Sequence, residues 1–170
     1  MPEQASAQFW IDRLELDPHP EGGYFKEVYR ADEQIARDAL PDRYSGSRHF
    51  STSIYYLLES SDISRFHILQ TDELWHFYTG QTVTLHILDG KTGYSRLRLG
   101  NEPKRDTQFQ VSIPRKTYFG ASIDGVNGFA LIGCTMAPAF HFEDFELVKR
   151  RVLLEKFPAQ KNIIDKLTIE

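Results

Sequence analysis

The chain has 170 residues with 41% hydrophobic content, enough for one folded core. Its 24 acidic residues against 20 Lys and Arg give a net charge of −4, which argues against the broad basic face of a general nucleic-acid binder. The single cysteine, Cys134, excludes an internal disulfide, and the opening MPEQASAQFW lacks the basic and apolar regions of a secretory leader; no stretch approaches the ~20 apolar residues of a membrane span.

These features make cytoplasmic residence the simplest expectation, with neither nucleic acid nor membrane as a partner. In chain order, residues 5–15 read as a helix, because Ala7, Trp10, Ile11 and Leu14 share one face at spacings of three and four. Asp17-Pro18-His19-Pro20 ends it, since each proline drives the preceding residue out of the helical region. Residues 22–30 alternate as a strand. Residues 31–48 are polar and form a long loop, with a short helix expected at 33–39.

From 51 to 136 the pattern is strand after strand: 51–58, 63–69, 73–79, 81–88, 94–99, 108–113, 117–122 and 128–136. Turn signals such as Ser60-Ser61-Asp62, Asp89-Gly90, Asn101-Glu102-Pro103 and Asp124-Gly125 separate them. Eight short strands at this spacing indicate a sandwich or barrel rather than alternating βαβ units. The tail returns to helical spacing over Leu147–Phe157, and Pro158 opens a last short helix carrying Ile163, Ile164 and Leu167. No nucleophile elbow, P-loop or dinucleotide fingerprint is present. Lys149-Arg150-Arg151 reads as a solvated helix face, and Cys134, inside FALIGCTM, as a buried and inert thiol.

The segment Ser64–Gly80, SRFHILQTDELWHFYTG, carries the chemistry. Strand alternation places Arg65, His67 and Leu69 on one face. Glu73, Trp75 and Phe77 share a face of the next strand, and His76 points the other way. His67 and Glu73 thus form a histidine–carboxylate pair facing a common interior. Arg65 would meet Glu73 or an anionic ligand group, and Trp75 would offer a stacking wall. Tyr56, Tyr118 and Phe119 are further aromatic walls, with core packing as the plainer reading. His19-Pro20-Glu21-Gly22-Gly23 is a rigid turn, with His19 or Glu21 as candidates for the cavity rim.

These residues resemble the cupins. Their first motif runs glycine, a spacer, His-x-His, three or four residues, Glu, six residues, Gly. Glu73 and Gly80 keep that last gap, and His67 takes the first histidine position; Leu69 takes the second. The second cupin motif, Pro-x-Gly-x-x-His, corresponds to Pro114–Phe119, with Lys116 for the glycine and Phe119 for the histidine. A fuller resemblance is to the DUF985, or cupin-5, family, a branch of uncharacterised function. It rests on His19-Pro20-Glu21-Gly22-Gly23-Tyr24, Ser64-Arg65-Phe66-His67, Asp72-Glu73-x-Trp75-His76-x-Tyr78-x-Gly80 and Pro138-x-Phe140-x-Phe142-Glu143-Asp144-Phe145. The departures are Ala139, His141 and Lys116. The resemblance implies a mainly β, double-stranded β-helix (jelly-roll) barrel and a homodimer. It implies no established reaction.

The expectation is one cupin domain over 1–170, with its barrel at about 22–146 and its C-terminal helices at about 147–168. A small polar metabolite, sugar- or nucleotide-like, would occupy the barrel, contacted by Arg65, Trp75, Tyr56, Tyr118 and Glu21. His67 and Glu73 would act as base and acid in an isomerisation or epimerisation without a metal or other cofactor. Arg65-Phe66-His67 also loosely resembles the segment bearing the catalytic histidine of sugar-nucleotide epimerases. Two alternatives stay open. One is a metal-dependent cupin, such as a dioxygenase, with His67 and Glu73 as ligands and His49, His86 or His141 completing the set. The other is a non-catalytic binding or storage-like protein.

Overall fold

The computed structural model describes residues 5–102 and 106–169. Helix α1 (Ala7–Leu14) is capped by Ser6, whose Oγ accepts from the Phe9 amide at 3.1 Å, and ends at Glu15 in the left-handed region. One six-stranded sheet runs, in spatial order, β1 (Asp17–Pro18), β2 (Tyr24–Arg30), β5 (Thr52–Glu59), β12 (Phe129–Met136), β7 (Glu73–Gly80), β10 (Gln110–Ile113). A five-stranded sheet runs β13 (Phe145–Leu147), β6 (Ile63–Leu69), β11 (Tyr118–Ile123), β8 (Val83–Asp89), β9 (Gly93–Leu99). Every pairing in both sheets is antiparallel. This is the expected jelly roll, with its main core between the two inner faces: Trp75, Leu85, Phe119, Ala121 and Ile132 among others.

Each outer face is covered by one end of the chain. The apolar stripe of α1 packs over Leu57, Phe129 and Leu131 of the first sheet. Helices α2 (Arg150–Lys156) and α3 (Lys161–Lys166), with Leu167 just after them, press Leu153, Ile164 and Leu167 onto Phe66 and Leu88 of the second. Among the described residues no helix is long and apolar enough to cross a membrane.

The loop at 31–48 holds no α-helix. Strands β3 (Gln34–Ile35) and β4 (Arg48–His49) pair with each other around a single 3-10 turn at Arg37–Ala39. Side chains pin the segment down: the Tyr44 hydroxyl lies 2.8 Å from Thr71 Oγ1, and Arg48 makes a two-pronged bond to Asp144 at 2.6 and 2.8 Å, both partners buried. β13, unforeseen in the sequence, pairs Leu147 with His67 and closes the sheet beside the site. Of the expected turn at Asn101-Glu102-Pro103, Pro103 lies outside the described residues.

Candidate functional site

One end of the barrel opens into a cavity of about 380 Å³, walled by Phe25, Ile54, Leu69, Met136, Phe140 and Phe145. His19, Glu21, His67 and Glu73 project into this largely apolar space. A ligand of metabolite size buries most of its surface in such a concave site, and a few polar groups orient it.

A β-bulge decides how β6 presents its side chains. Phe119 of β11 pairs with His67 and Ala121 pairs with Ser64, so Gly120 alone faces both Arg65 and Phe66. The extra residue lets Ser64 and His67, three apart, share the inner face. Gly120 is needed for the close approach, because a methyl there would sit 2.7 Å from the Ser64 carbonyl oxygen. The bulge also turns the Arg65 carbonyl toward the site, where it accepts from His67 Nδ1 at 2.7 Å.

His67 is 2% exposed, held at Nδ1 and packed against two aromatic rings. Phe119 and Phe145 lie 4.1 and 5.4 Å away, centroid to centroid. Glu21 Oε2 stands 3.1 Å from Nδ1. Both neighbours of Nδ1, a carbonyl and a carboxylate, only accept, so Nδ1 carries the proton of the neutral ring. Nε2 keeps its lone pair, and His67 lines the cavity.

Glu21 reaches the site through the turn before β2. His19 donates its amide to the Gly23 carbonyl at 2.8 Å, and Gly22 donates to the His19 carbonyl at 3.0 Å. Gly22 has φ of 115°, and a methyl on it would lie 2.0 Å from the Ile63 carbonyl oxygen, so only glycine fits. The Glu21 carboxylate, 6% exposed, accepts from Ser64 Oγ at 3.0 Å through its other oxygen. Ser64, Glu21 and His67 therefore form a continuous chain. His19 Nδ1 accepts from the Glu21 amide at 3.2 Å, and burial pushes this imidazole below its ordinary pKa.

Glu73, 8% exposed, enters from β7. Burial, reinforced by the charge of Glu21, raises its carboxyl to about 8 even though Trp75 Nε1 donates to Oε2 at 2.8 Å and the Cys134 thiol bonds the same group. At neutral pH Glu73 is an un-ionised acid. Cys134, expected to be inert, is buried beside it, and burial pushes its thiol well above the ordinary range.

The remaining candidates divide. Tyr56 lines the cavity, its hydroxyl donating to the Gly22 carbonyl at 2.7 Å. Trp75 is buried behind the wall, edge-on to Tyr56 and Phe119. Arg65 is a correction: the bulge breaks the alternation, and its side chain enters a separate groove on the far side of the sheet. Tyr118 is another: it is the outward neighbour of Phe119 and packs on Phe157 under the C-terminal helices. His76 faces outward as expected and meets Thr135 Oγ1 at 3.1 Å. His86 is on the outer face of the second sheet, between Tyr94 and Ser122. His49 and His141 reach the mouth, joined by an ion pair that no sequence motif announces, Glu27 with Arg30 at 2.7 Å. A bulge after Glu27 puts both of its members on the cavity side.

The positions matched to the metal motif bring two potential ligands, His67 and Glu73, to the cavity. Among the described residues no three His, Cys, Asp or Glu side chains are grouped to hold a metal ion. Leu69 lines the cavity where the motif would supply a second histidine, and Phe119 lies against His67 where it would supply a third.

The model of a family described as "Cupin superfamily (DUF985)" matches residues 8–148. An uncharacterized protein of Saccharomyces cerevisiae is 32% identical over 162 residues, covering 88% of this chain and 79% of its own. A crystal structure of protein SO0799 from Shewanella oneidensis is 31% identical with a TM-score of 0.88, covering 98% of this chain and 99% of that one. A hypothetical protein from Leishmania major is 31% identical with a TM-score of 0.86, covering 98% and 100%. Oxalate decarboxylase from Bacillus subtilis, at 14% identity and a TM-score of 0.53, shares the fold over 89% of this chain and 36% of its own. The match to the family model and the shared barrel place this chain in the Cupin_5 (DUF985) family of the cupin superfamily.

Proposed function

We propose that the cavity binds a small polar metabolite, sugar- or nucleotide-like, and that His67 and Glu73 isomerise or epimerise it by moving a proton. One observation carries this reading: a histidine whose Nδ1 proton is fixed by Arg65 and Glu21 shares a cavity with a carboxyl group that stays protonated at neutral pH. A base and an acid are thus poised in one desolvated space.

His67 Nε2 takes the proton from a carbon next to a carbonyl. The C–H electron pair moves into the new carbon–carbon double bond, and the carbonyl oxygen takes the Glu73 proton. The imidazolium formed lies against the Glu21 carboxylate, which Ser64 holds in place. With an α-hydroxy carbonyl, His67 protonates the former carbonyl carbon while the second hydroxyl returns its proton to Glu73, which completes an isomerisation; protonation of the original carbon on its other face, with the enol proton returned to Glu73, completes an epimerisation. The developing charge is met by Glu73, so the step is metal-independent. Phe25, Ile54 and Phe145 pack the apolar faces of the ligand.

A thermal-shift screen with sugars, sugar nucleotides and keto acids tests binding. The ligand that stabilises the wild type is then incubated in heavy water, and deuterium on carbon is read by mass spectrometry. The expected result is incorporation that falls about a hundredfold or more in His67→Gln and Glu73→Gln. Stabilisation without incorporation would leave a binding protein and overturn the catalytic half. Equal stabilisation of wild type and both variants would remove these residues from the ligand's contacts.

A further inference from the structure

The basic run Lys149-Arg150-Arg151 is not a plain solvated face. Together with Arg65, far away in sequence, it surrounds a second groove of about 870 Å³ between β6 and the C-terminal segment. Four cations face one carboxylate there, Glu155, in a chain whose net charge is −4. Their partners are unevenly assigned. Glu155 accepts from Arg151 at 2.9 Å. Arg150 is occupied by Thr168, bonding its Oγ1 at 2.9 Å and its carbonyl at 2.8 Å, with Asp165 at 3.7 Å. Among the described residues neither Arg65 nor Lys149 has an acidic partner. The same groove is lined by Phe66, Val148, Leu154 and Ile169, the last 58% exposed.

Unpaired cations beside exposed apolar surface match one ligand chemistry: an anionic head on an apolar body. We propose that this groove is a second binding site, independent of the cavity, for an amphiphilic anion whose carboxylate or phosphate is held by Arg65 and Lys149 and whose apolar part lies on Leu154 and the exposed Ile169, over the buried Phe66 and Val148. The β6 bulge builds it. The kink that sends His67 inward sends the Arg65 side chain outward, so a residue the alternation rule assigns to the cavity becomes the anchor of the groove. The planar guanidinium suits a two-pronged contact with either head group, and Lys149 adds a mobile charge at the rim.

Isothermal titration with decanoate and decyl phosphate tests this, with decanol and inorganic phosphate as controls for each half of the ligand. Both amphiphiles are expected to bind and both controls to bind at least about tenfold more weakly. Arg65→Gln and Lys149→Gln should each weaken the amphiphiles by about tenfold, the loss of one charged hydrogen-bond partner. Affinity should fall as salt rises. His67→Gln, in the other cavity, should leave it unchanged, so the result is separable from the isomerase reading. No binding of either amphiphile at concentrations on the order of 1 mM, or binding indifferent to Arg65 and Lys149, would overturn the proposal. So would a Lys149→Glu variant that changes the oligomeric state, because the groove would then be a contact between copies.

Discussion

Glu21 and His67 meet across 3.1 Å, joining the turn before β2 to the bulged strand β6. Neither residue holds this geometry alone. Gly22 sets the backbone that delivers Glu21, Ser64 fixes the far oxygen of its carboxylate, and the Arg65 carbonyl fixes the near edge of the imidazole. The outcome is a ring of defined tautomer in an apolar cavity, alongside an un-ionised Glu73.

Glu73 and His86 pull stability in opposite directions over overlapping pH intervals. Glu73 is raised from 4.5 to about 8, so between those values the folded chain keeps a proton that the unfolded chain has lost. Its contribution therefore declines as pH rises through that window, by about 1 kcal/mol per unit. His86 is lowered from 6.5 to about 4 by burial, with help from Lys166 and Arg96. Here the unfolded chain holds the extra proton, so stability is lost as pH falls from 6.5 toward 4. The two slopes oppose each other where the windows overlap.

Glu73→Gln keeps an acceptor for Trp75 Nε1 and removes the carboxyl titration. Relative to wild type, the variant should gain stability steadily as pH rises from about 5 to about 8. Urea titrations across that range measure it, and a difference that stays constant would refute the raised value.

His86→Gln preserves partners for Tyr94 and Ser122 but cannot protonate. Its stability relative to wild type should improve as pH drops from about 6.5 to about 4. The same titrations at acid pH give the answer, and a variant that follows the wild-type pH profile would show that His86 is not a buried neutral ring.

Arg48 and Asp144 form a buried pair that fastens the loop at 44–49 to the segment leading into β13. Arg48→Ala leaves the Asp144 carboxylate buried without its partner and should cost about 3–5 kcal/mol. Arg48→Met with Asp144→Leu removes both charges and should cost clearly less than Arg48→Ala alone. Guanidinium denaturation of the three proteins checks this order.

Gly120→Ala pushes a methyl against the Ser64 carbonyl and should cost about 1–3 kcal/mol. Gly90→Ala is the control, since nothing lies within 4 Å of the added carbon. If both substitutions prove equally mild under chemical denaturation, Gly120 is not what admits the bulge.

The barrel was legible because most strands alternate strongly and turn residues punctuate them; the eight strands expected from 51 to 136 are all present. Two- and three-residue pieces such as β3, β4 and β13 were not, since a period cannot be read from so few residues. Site residues were legible where alternation is unbroken, as over Glu73–Phe77 of β7, where Glu73 and Trp75 face in and His76 faces out. Alternation fails at Arg65 because a bulge slips the period by one, and no local signal in Ser64-Arg65-Phe66-His67 announces a bulge. For Tyr118 and Phe119, adjacent aromatics leave the parity undecided until a partner strand fixes it. The pairing of Glu21 with His67 depends on contacts distant in sequence, and so does the place of the Glu27–Arg30 pair at the mouth. A glutamate beside a double glycine was the only hint of the first.

Everything proposed for the cavity rests on His67 being held with its proton on Nδ1 and its Nε2 lone pair free. Long-range proton–nitrogen correlation NMR of the imidazole, at a pH where the ring is neutral, reads this directly. The expected spectrum shows a protonated Nδ1 and an unprotonated Nε2, with the Nδ1 proton signal displaced in Glu21→Gln. A ring with its proton on Nε2 would contradict it, because His67 could not then accept a proton from a ligand in the cavity.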